Sequence, residues 1–169
     1  NEVENVEPLI KKIAEVMRPK VKNFEVIVVD DNSPDKTFEK LLNLSKYYKM
    51  LRPILRKSDH GLGPSVWEGI RAAKYENIVI MDSDLSHCPT EIPEMLRWLE
   101  KGKIMVWGSR YITGGHIEES SKNSIQYILS RLFNLLIMRL LNLPVLDTTN
   151  GFFAFRSQIL KYDNFKNCF

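Results

Sequence analysis

The sequence is poor in cysteine, in excess charge and in long apolar runs. Cys88 and Cys168 are the two cysteines among 169 residues, and they have neither the spacing of a zinc site nor that of a redox pair. A reducing compartment is therefore expected. The net charge of +3 is too small to indicate a nucleic acid partner, although it is compatible with an anionic substrate or a lipid surface. No uncharged apolar run reaches the length of a membrane span.

Repeats, low-complexity segments and linkers are also missing from the sequence. Residues 1–169 are therefore predicted to form a single domain, with the 44% apolar and 27% charged composition of an ordinary globular protein. The first residue, Asn1, lies on the approach to a predicted helix, so we expect the domain to be incomplete, truncated at both ends. No G-x-G-x-x-G motif follows a predicted strand, which argues against a dinucleotide-dependent oxidoreductase.

Apolar residues alternate along the chain between helical spacing and short continuous runs. The runs predict strands at 24–29, 51–55, 78–82, 104–107 and 151–155. Helices are predicted over roughly 3–18, after residue 36, around 66–73, over 92–99 and over 125–143. Strands that are solidly apolar and alternate with helices indicate a parallel sheet covered on both faces. The predicted fold class is therefore α/β, with a mostly parallel central sheet and helices on both faces.

Two carboxylates, Asp82 and Asp84, follow directly after the apolar run at 78–81. A strand that is buried on both faces cannot hold unpaired carboxylates, because their dehydration costs too much free energy. They must lie where the strand ends and opens to solvent, which is where open α/β sheets bind ligands. Carboxylate oxygens are hard ligands suited to Mg²⁺ or Mn²⁺, and such ions commonly bridge to substrate phosphates. The sequence therefore predicts a site for a divalent metal ion and a diphosphate.

Other polar clusters also come just after predicted strands, and the carboxyl ends of parallel strands meet at one edge of a sheet. Their members are Asp30, Asp31, Arg56, Lys57, Gly61, Gly63 and Arg110. Each cluster has a plainer explanation when taken alone. Asp30 and Asp31 suit an ordinary turn, and the two glycines suit a loop that binds nothing. The helix predicted at 125–143 fits either a buried core helix or one that lies in a membrane interface.

Five segments together resemble family 2 glycosyltransferases of the GT-A fold, and more narrowly the dolichyl- or polyprenyl-phosphate mannosyltransferase group. They are VIVVDDNSPDKT at 26–37, GLGPS at 61–65, IVIMDSDLSHCP at 78–89, GSRYITGG at 108–115 and LDTTNGFFAFR at 146–156. They occur in the order found in the family and cover nearly the whole chain, so the combination is far more specific than any one segment.

The resemblance implies a catalytic domain that binds a nucleotide diphosphate sugar. Asn1 and Glu2 resemble the end of the family's first strand, where the acidic residue contacts the nucleotide. The nucleotide is expected to contact Glu2, Val28 and Asp30, and further contacts to the donor are expected from Asp31, Lys57, Gly61, Gly63 and Ser83. The metal ligands are expected to be Asp84, Asp82 and Ser86. The expected catalytic residues are Asp84, Asp82 and Arg110, and Arg110 would act by contacting a phosphate.

The implied reaction inverts the sugar carbon while moving a hexose, with mannose favoured, to dolichyl or polyprenyl phosphate with the help of Mg²⁺ or Mn²⁺. GDP-mannose is the favoured donor, and a UDP-hexose is possible. The implied location is the cytoplasmic side of a membrane, either the endoplasmic reticulum in a eukaryote or the plasma membrane in a prokaryote. No nucleic acid partner is implied.

Two departures from the family pattern bear on the acceptor. The loop HIEESSKNSIQ carries only Lys122 where the family has a tryptophan and a basic cluster, and Gly151-Phe152-Phe153 replaces the family's Gly-Phe-Arg triplet. Two alternatives therefore stay open, namely a family 2 transferase with a glycan or other sugar acceptor and a non-catalytic sugar-nucleotide-binding domain.

Overall fold

A computed structural model describes residues 1–108 and 151–161, in which helices and strands alternate as predicted. The elements are α1 (Val6–Met17), β1 (Val26–Asp30), α2 (Thr37–Tyr47), β2 (Leu51–Leu55), α3 (Leu62–Ala72), β3 (Asn77–Ile80), α4 (Ile92–Glu100), β4 (Met105–Trp107) and β5 (Phe153–Arg156). Short 3-10 helices at Pro89–Glu91 and Ser157–Lys161 precede α4 and follow β5. The helix predicted at 125–143, the loop at 114–123 and Arg110 lie outside the described residues.

The described strands form two sheets. In the first, β1 and β2 are parallel, with the register running from Val26 opposite Leu51 to Asp30 opposite Leu55. In the second, β5 lies between β3 and β4 and is antiparallel to both, so β3 and β4 run in the same direction. The α/β class is confirmed, and the strand predicted near 151–155 is a reversed strand in the middle of its sheet.

Helix α1 packs against both sheets because its apolar residues form two adjacent rows. One row joins a cluster with α2 and β2, and the other joins a cluster with α4 and β5. The first cluster contains Val6, Ile10, Leu41, Leu44 and Leu51. The second contains Leu9, Ile13, Met17, Ile92, Met95, Leu99, Phe152 and Ala154. Helical spacing of apolar residues therefore fixes the position of each sheet relative to α1.

The end of α4 is set by Gly102, as the sequence predicts. Its φ of +91° lies in the left-handed region that favours glycine, and its N–H donates to the carbonyl of Leu99 at 2.9 Å. The chain can therefore turn directly from α4 toward β4. Within the two described ranges, no helix is both long enough and apolar enough to cross a membrane.

Leu41 and Leu42 provide a matched test of this packing. Leu41 is completely buried, whereas its neighbour Leu42 is 45% exposed. We expect Leu41→Ala to lower the free energy of unfolding by about 2–5 kcal/mol, because it leaves a cavity in the core. Leu42→Ala should cost less than about 1 kcal/mol. Urea unfolding followed by circular dichroism measures both, and equal losses would contradict the assignment of Leu41 to the core.

Candidate functional site

The carboxyl ends of β1 and β2 lie side by side, and one further backbone hydrogen bond links the two chains beyond the last paired residues. The N–H of Arg56 donates to the carbonyl of Asp30 at 2.8 Å, which extends the parallel ladder by one residue. The polar residues that follow each strand are therefore brought to one edge of this sheet, as predicted from the sequence.

Asp31 holds the loop between β2 and α3 in place. Its Oδ1 accepts a hydrogen bond from Nη1 of Arg56 at 2.7 Å, and its Oδ2 accepts one from the N–H of Gly61 at 2.8 Å. The Arg56 side chain is only 10% exposed and also donates to the Ser65 hydroxyl at 2.9 Å and to the Asp59 carbonyl. An arginine with this many partners is a structural clamp. The sequence places Arg56 in the polar cluster that follows β2, but its position beside Lys57 gave no sign that it would hold the loop in place.

The electrostatic state of Asp31 follows from these contacts. Burial acts to raise the pKa of its carboxyl group, but the hydrogen bonds from Gly61 and Ser65 and the ion pair with Arg56 outweigh that effect. The pKa of Asp31 therefore lies below its usual value. Its negative charge is largely matched by Arg56 before any ligand arrives.

The remaining predicted donor-site residues of this region lie around the end of β1. Asp30 is 5% exposed, and its Oδ1 accepts a hydrogen bond from the N–H of Ser33 at 2.8 Å. This contact is the one expected if Asp30 stabilises an ordinary turn.

Other predicted donor-site residues lie nearby. Val28 is half-buried in β1, and Glu2 accepts a hydrogen bond from Asn5 Nδ2 at 2.6 Å. Lys57, Gly61 and Gly63 are exposed. Gly61 has a φ of +141°, so a residue with a Cβ would be strained there.

The predicted metal-binding residues lie in a short turn after β3. Oδ1 of Asp84 accepts the N–H of Ser86 at 2.9 Å, and the N–H of Asp82 donates to Nδ1 of His87 at 3.1 Å. Asp82, Asp84 and Ser86 are exposed, and Ser83 is half-buried. Burial acts to raise the pKa of Asp84, but the Ser86 hydroxyl and N–H and the nearby His87 outweigh it, so this pKa is lowered. The turn therefore presents carboxylates to solvent while its backbone is fixed.

The segment at 151–152 supports this turn from behind. The ring of His87, whose side chain is 9% exposed, stacks on Phe152 with a centroid distance of 5.1 Å and an interplanar angle of 16°. A Cβ added at Gly151 would lie 3.1 Å from Oδ2 of Asp82, so a larger residue at this position would crowd the carboxylate. The sequence places Gly151 and His87 within two separate motifs, and nothing in their spacing reveals that these motifs touch.

The two polar clusters border one cavity of about 550 Å³ between β1 and β3. Leu62 and Ser65 reach it from the β2–α3 loop and the start of α3, and Asp82 and Ser83 reach it from the acidic turn. Asp31, Gly61 and Asp84 are not part of its lining, so the convergence of these clusters on one ligand stays a prediction. Arg110, the remaining predicted member of the site, lies outside the described residues.

The acidic turn fits a divalent ion by the chemistry of its donors. Within residues 1–108 and 151–161, no three His, Cys, Asp or Glu side chains are grouped as a complete metal site. Mg²⁺, however, is often held by one or two protein carboxylates, with phosphates and water completing its shell. Asp82 and Asp84 supply such carboxylates, and metal binding at this turn stays a prediction.

Sequence comparison relates the chain to a single group of proteins. Residues 1–162 match the family model described as Glycosyl transferase family 2. A dolichol-phosphate mannosyltransferase of Pyrococcus furiosus is 33% identical over 165 residues, which represent 95% of this chain and 45% of the relative. A dolichol-phosphate mannosyltransferase of Saccharomyces cerevisiae is 34% identical over 116 residues, representing 68% of this chain and 43% of the relative. The chain thus spans less than half the length of these curated relatives.

Solved structures show the same fold at lower sequence identity. Glucosyl-3-phosphoglycerate synthase of Mycobacterium tuberculosis in complex with phosphoglyceric acid superposes with a TM-score of 0.65 at 21% identity, covering 95% of this chain and 55% of that one. The complex of the enzyme with uridine diphosphate gives a TM-score of 0.63 at 21% identity, covering 92% and 55%. These similarities confirm the predicted fold class.

The ion pair of Asp31 predicts a specific pH dependence of stability. A carboxyl group with a lowered pKa in the folded state stabilises the fold above its unfolded pKa of about 3.9, and this contribution is lost as the pH falls through the folded pKa. We expect Asp31→Asn to be about 1–2 kcal/mol less stable than the wild type at pH 7, and this difference to shrink in acid.

Urea unfolding at pH 7, 5 and 3.5 measures the difference between the two proteins. Asp59→Asn is the matched control, because the side chain of Asp59 is 83% exposed at 3.6 Å from Arg56 and should change stability by less than about 0.5 kcal/mol. A difference between Asp31→Asn and the wild type that stays constant from pH 7 to pH 3.5 would contradict the ionic role of Asp31.

Proposed function

Because the chain belongs to glycosyl transferase family 2, we propose that the full-length protein transfers a hexose, with mannose favoured, from a nucleotide diphosphate sugar to dolichyl or polyprenyl phosphate. Two relatives named dolichol-phosphate mannosyltransferase support this choice of acceptor and sugar. The structural observation that carries the proposal is the pair of exposed carboxylates, Asp82 and Asp84, in one turn after β3. Asp82 lines the same cavity as Leu62 and Ser65, which follow the loop held by Asp31.

The nucleotide is proposed to bind near the carboxyl end of β1. Val28, Asp30 and Glu2 are the proposed contacts to base and ribose, and the resemblance to the family supports these roles. Asp31 contributes by fixing the backbone at Gly61, from which Gly61, Gly63 and Lys57 face solvent. Exposed glycine backbone and a lysine suit the approach of a phosphate group.

The diphosphate is proposed to lie against the acidic turn. Asp84 and Asp82, with help from Ser86, would hold Mg²⁺ or Mn²⁺ there, while Ser83 and Arg110 would contact the donor. When bound, a divalent ion supplies positive charge where the departing diphosphate gains negative charge. The ring of His87 stacks on Phe152, and its Nδ1 accepts the N–H of Asp82, so both contacts support the backbone of the turn that carries the carboxylates.

The acceptor phosphate is proposed to attack the sugar directly. A phosphate monoester is already an anion, so no side chain must remove a proton from it before attack. A single displacement on the face opposite the leaving diphosphate inverts the configuration of the sugar carbon. A lipid acceptor places the reaction at a membrane surface, and the cytoplasmic side is proposed because nucleotide sugars are water-soluble donors.

Asp84→Ala in the full-length protein tests the role of the acidic turn. We expect transfer of radiolabelled mannose from GDP-mannose to polyprenyl phosphate to fall by at least about 100-fold, because charge on the leaving diphosphate is no longer stabilised. Glu15→Ala removes an exposed carboxylate on α1, away from the acidic turn, and should leave the rate unchanged. Near-normal transfer by Asp84→Ala would contradict the proposed role.

The same assay distinguishes the possible acceptors. Label on an oligosaccharide, with none on polyprenyl phosphate, would assign the protein to family 2 transferases with a glycan acceptor. Nucleotide binding without transfer to either acceptor would instead support a non-catalytic sugar-nucleotide-binding domain.

Thermal unfolding with nucleotides tests the donor and the metal together. We expect GDP with Mn²⁺ to raise the Tm of the full-length protein by about 5–10 °C at a concentration near one hundred times its Kd. UDP should give a smaller rise, and both rises should shrink without the metal. A larger rise with UDP would reassign the donor to a UDP-hexose, and equal rises with and without Mn²⁺ would contradict a metal-bridged diphosphate.

A further inference from the structure

Leu85 is an exposed apolar residue inside the acidic turn. It lies between Asp84 and Ser86, two of the proposed metal ligands, and it is 44% exposed. Single exposed leucines are common on protein surfaces and by themselves indicate nothing. The backbone conformation and the position of Leu85 distinguish it from such residues.

The backbone of Leu85 has a conformation that leucine disfavours. Its φ of +65° lies in the left-handed region, where the backbone crowds the Cβ atom. The turn closes around this residue through the N–H of Ser86, which donates to Oδ1 of Asp84 at 2.9 Å. Glycine or asparagine adopts this conformation at lower cost and exposes less apolar surface to water. Because leucine carries both costs in the free protein, its side chain is a candidate for contact with a ligand.

The position of Leu85 is also unusual among the exposed large apolar residues that the structure describes. Tyr75 and Ile104 lie just before β3 and β4, at the amino ends of these strands, and three others belong to α2 and α4. Leu62, at the start of α3, lines the cavity between β1 and β3, whereas Leu85 does not. Leu85 is therefore exposed outside this cavity, directly beside the acidic carboxylates.

The proposed reaction brings the start of the acceptor chain close to this residue. Consecutive Cα atoms are about 3.8 Å apart, so Leu85 lies next to the carboxylate of Asp84, which is proposed to face the leaving diphosphate. In a single displacement, the acceptor oxygen lies about 3–3.5 Å from the sugar carbon, which is still joined to that diphosphate. The chain attached to the acceptor phosphate must therefore begin within roughly 10 Å of the acidic turn.

We propose that Leu85 contacts the first isoprene units of the acceptor and thereby selects a lipid phosphate over a glycan. This inference rests on the proposed function and assigns a specificity-determining residue to the same site. A leucine side chain offers dispersion contacts but can neither donate nor accept a hydrogen bond. An isoprene chain gains from this contact, whereas a sugar hydroxyl placed against it loses hydrogen bonds to water.

The charges around Leu85 favour a single acceptor chain over a bilayer as the group that covers it. Asp82 and Asp84 are exposed in the same turn. Insertion of Leu85 into a bilayer would bring both carboxylates to the lipid, where their dehydration is costly. One isoprene chain reaches Leu85 while the carboxylates stay in contact with water or the donor.

Leu85→Asn in the full-length protein tests the contact. Asparagine has nearly the same branched shape as leucine and tolerates a positive φ, so the turn keeps its backbone while the apolar contact is lost. With a water-soluble monophosphate of two isoprene units as acceptor, we expect the KM for the acceptor to rise about tenfold. The kcat and the KM for GDP-mannose should stay within about twofold of the wild type, because the lost contact involves the acceptor alone.

Two matched variants and a binding measurement accompany this test. Leu42 is 45% exposed on α2, so Leu42→Asn removes an equally exposed leucine and should leave the KM for the acceptor unchanged. Leu85→Met keeps an apolar side chain and should retain a KM close to that of the wild type. Titration calorimetry of the same prenyl phosphate, without donor or turnover, should show the loss of affinity in Leu85→Asn directly.

Four results would overturn the proposal. An unchanged KM for the acceptor in Leu85→Asn would do so while leaving the proposed function intact. An equal loss in kcat or in the KM for GDP-mannose would show that Leu85 only shapes the turn. Weaker binding of Leu85→Asn to phosphatidylcholine vesicles that lack polyprenyl phosphate would assign the residue to a bilayer contact. A wild-type protein that transfers nothing to the prenyl phosphate would overturn the proposed function, and this assignment with it.

Discussion

The double contact of α1 is the constraint on which the rest of the described structure depends. One row of its apolar side chains, including Val6 and Ile10, is buried with α2 and β2, and a second row, including Leu9 and Ile13, is buried with α4 and β5. Each buried aliphatic side chain of this size contributes about 1.5–3 kcal/mol. Within residues 1–108 and 151–161 the two sheets share no strand pair, so burial against α1 helps to set how the carboxyl ends of their strands lie relative to each other.

At that edge, the acidic residues divide into two classes. The charge of Asp31 is matched by Arg56, and Asp30 is buried in its own turn, so these carboxylates mainly organise the chain. Asp82 and Asp84 remain exposed, and their turn is held by N–H donors, by His87 and by the close backbone of Gly151. A cation that approaches this edge therefore meets uncompensated charge at the acidic turn rather than at the end of β1.

This division gives a physical role to four of the five segments of the family resemblance, those with more than half of their residues in the described part of the chain. VIVVDD provides the strand and the anchor for the glycine loop, and GLGPS provides the loop that the anchor holds. IVIMDSDLSHCP provides the exposed carboxylates together with the histidine that fixes them, and the start of GFFAFR provides the glycine and the ring behind them. The first and second of these segments are in contact through Asp31 and Gly61, and the third and fourth through His87 and Phe152.

The sequence alone determined the element order, because apolar spacing reports directly which residues a helix or strand must bury. It also determined that Asp82 and Asp84 lie just beyond the carboxyl end of a strand, because unpaired charges cannot be buried within it. The tertiary structure decided that Arg56 is a clamp, that Phe152 supports His87, and that β5 runs antiparallel between β3 and β4. Each of these depends on contacts between residues distant in the chain, and local patterns of hydrophobicity and turn chemistry do not encode which distant segments meet.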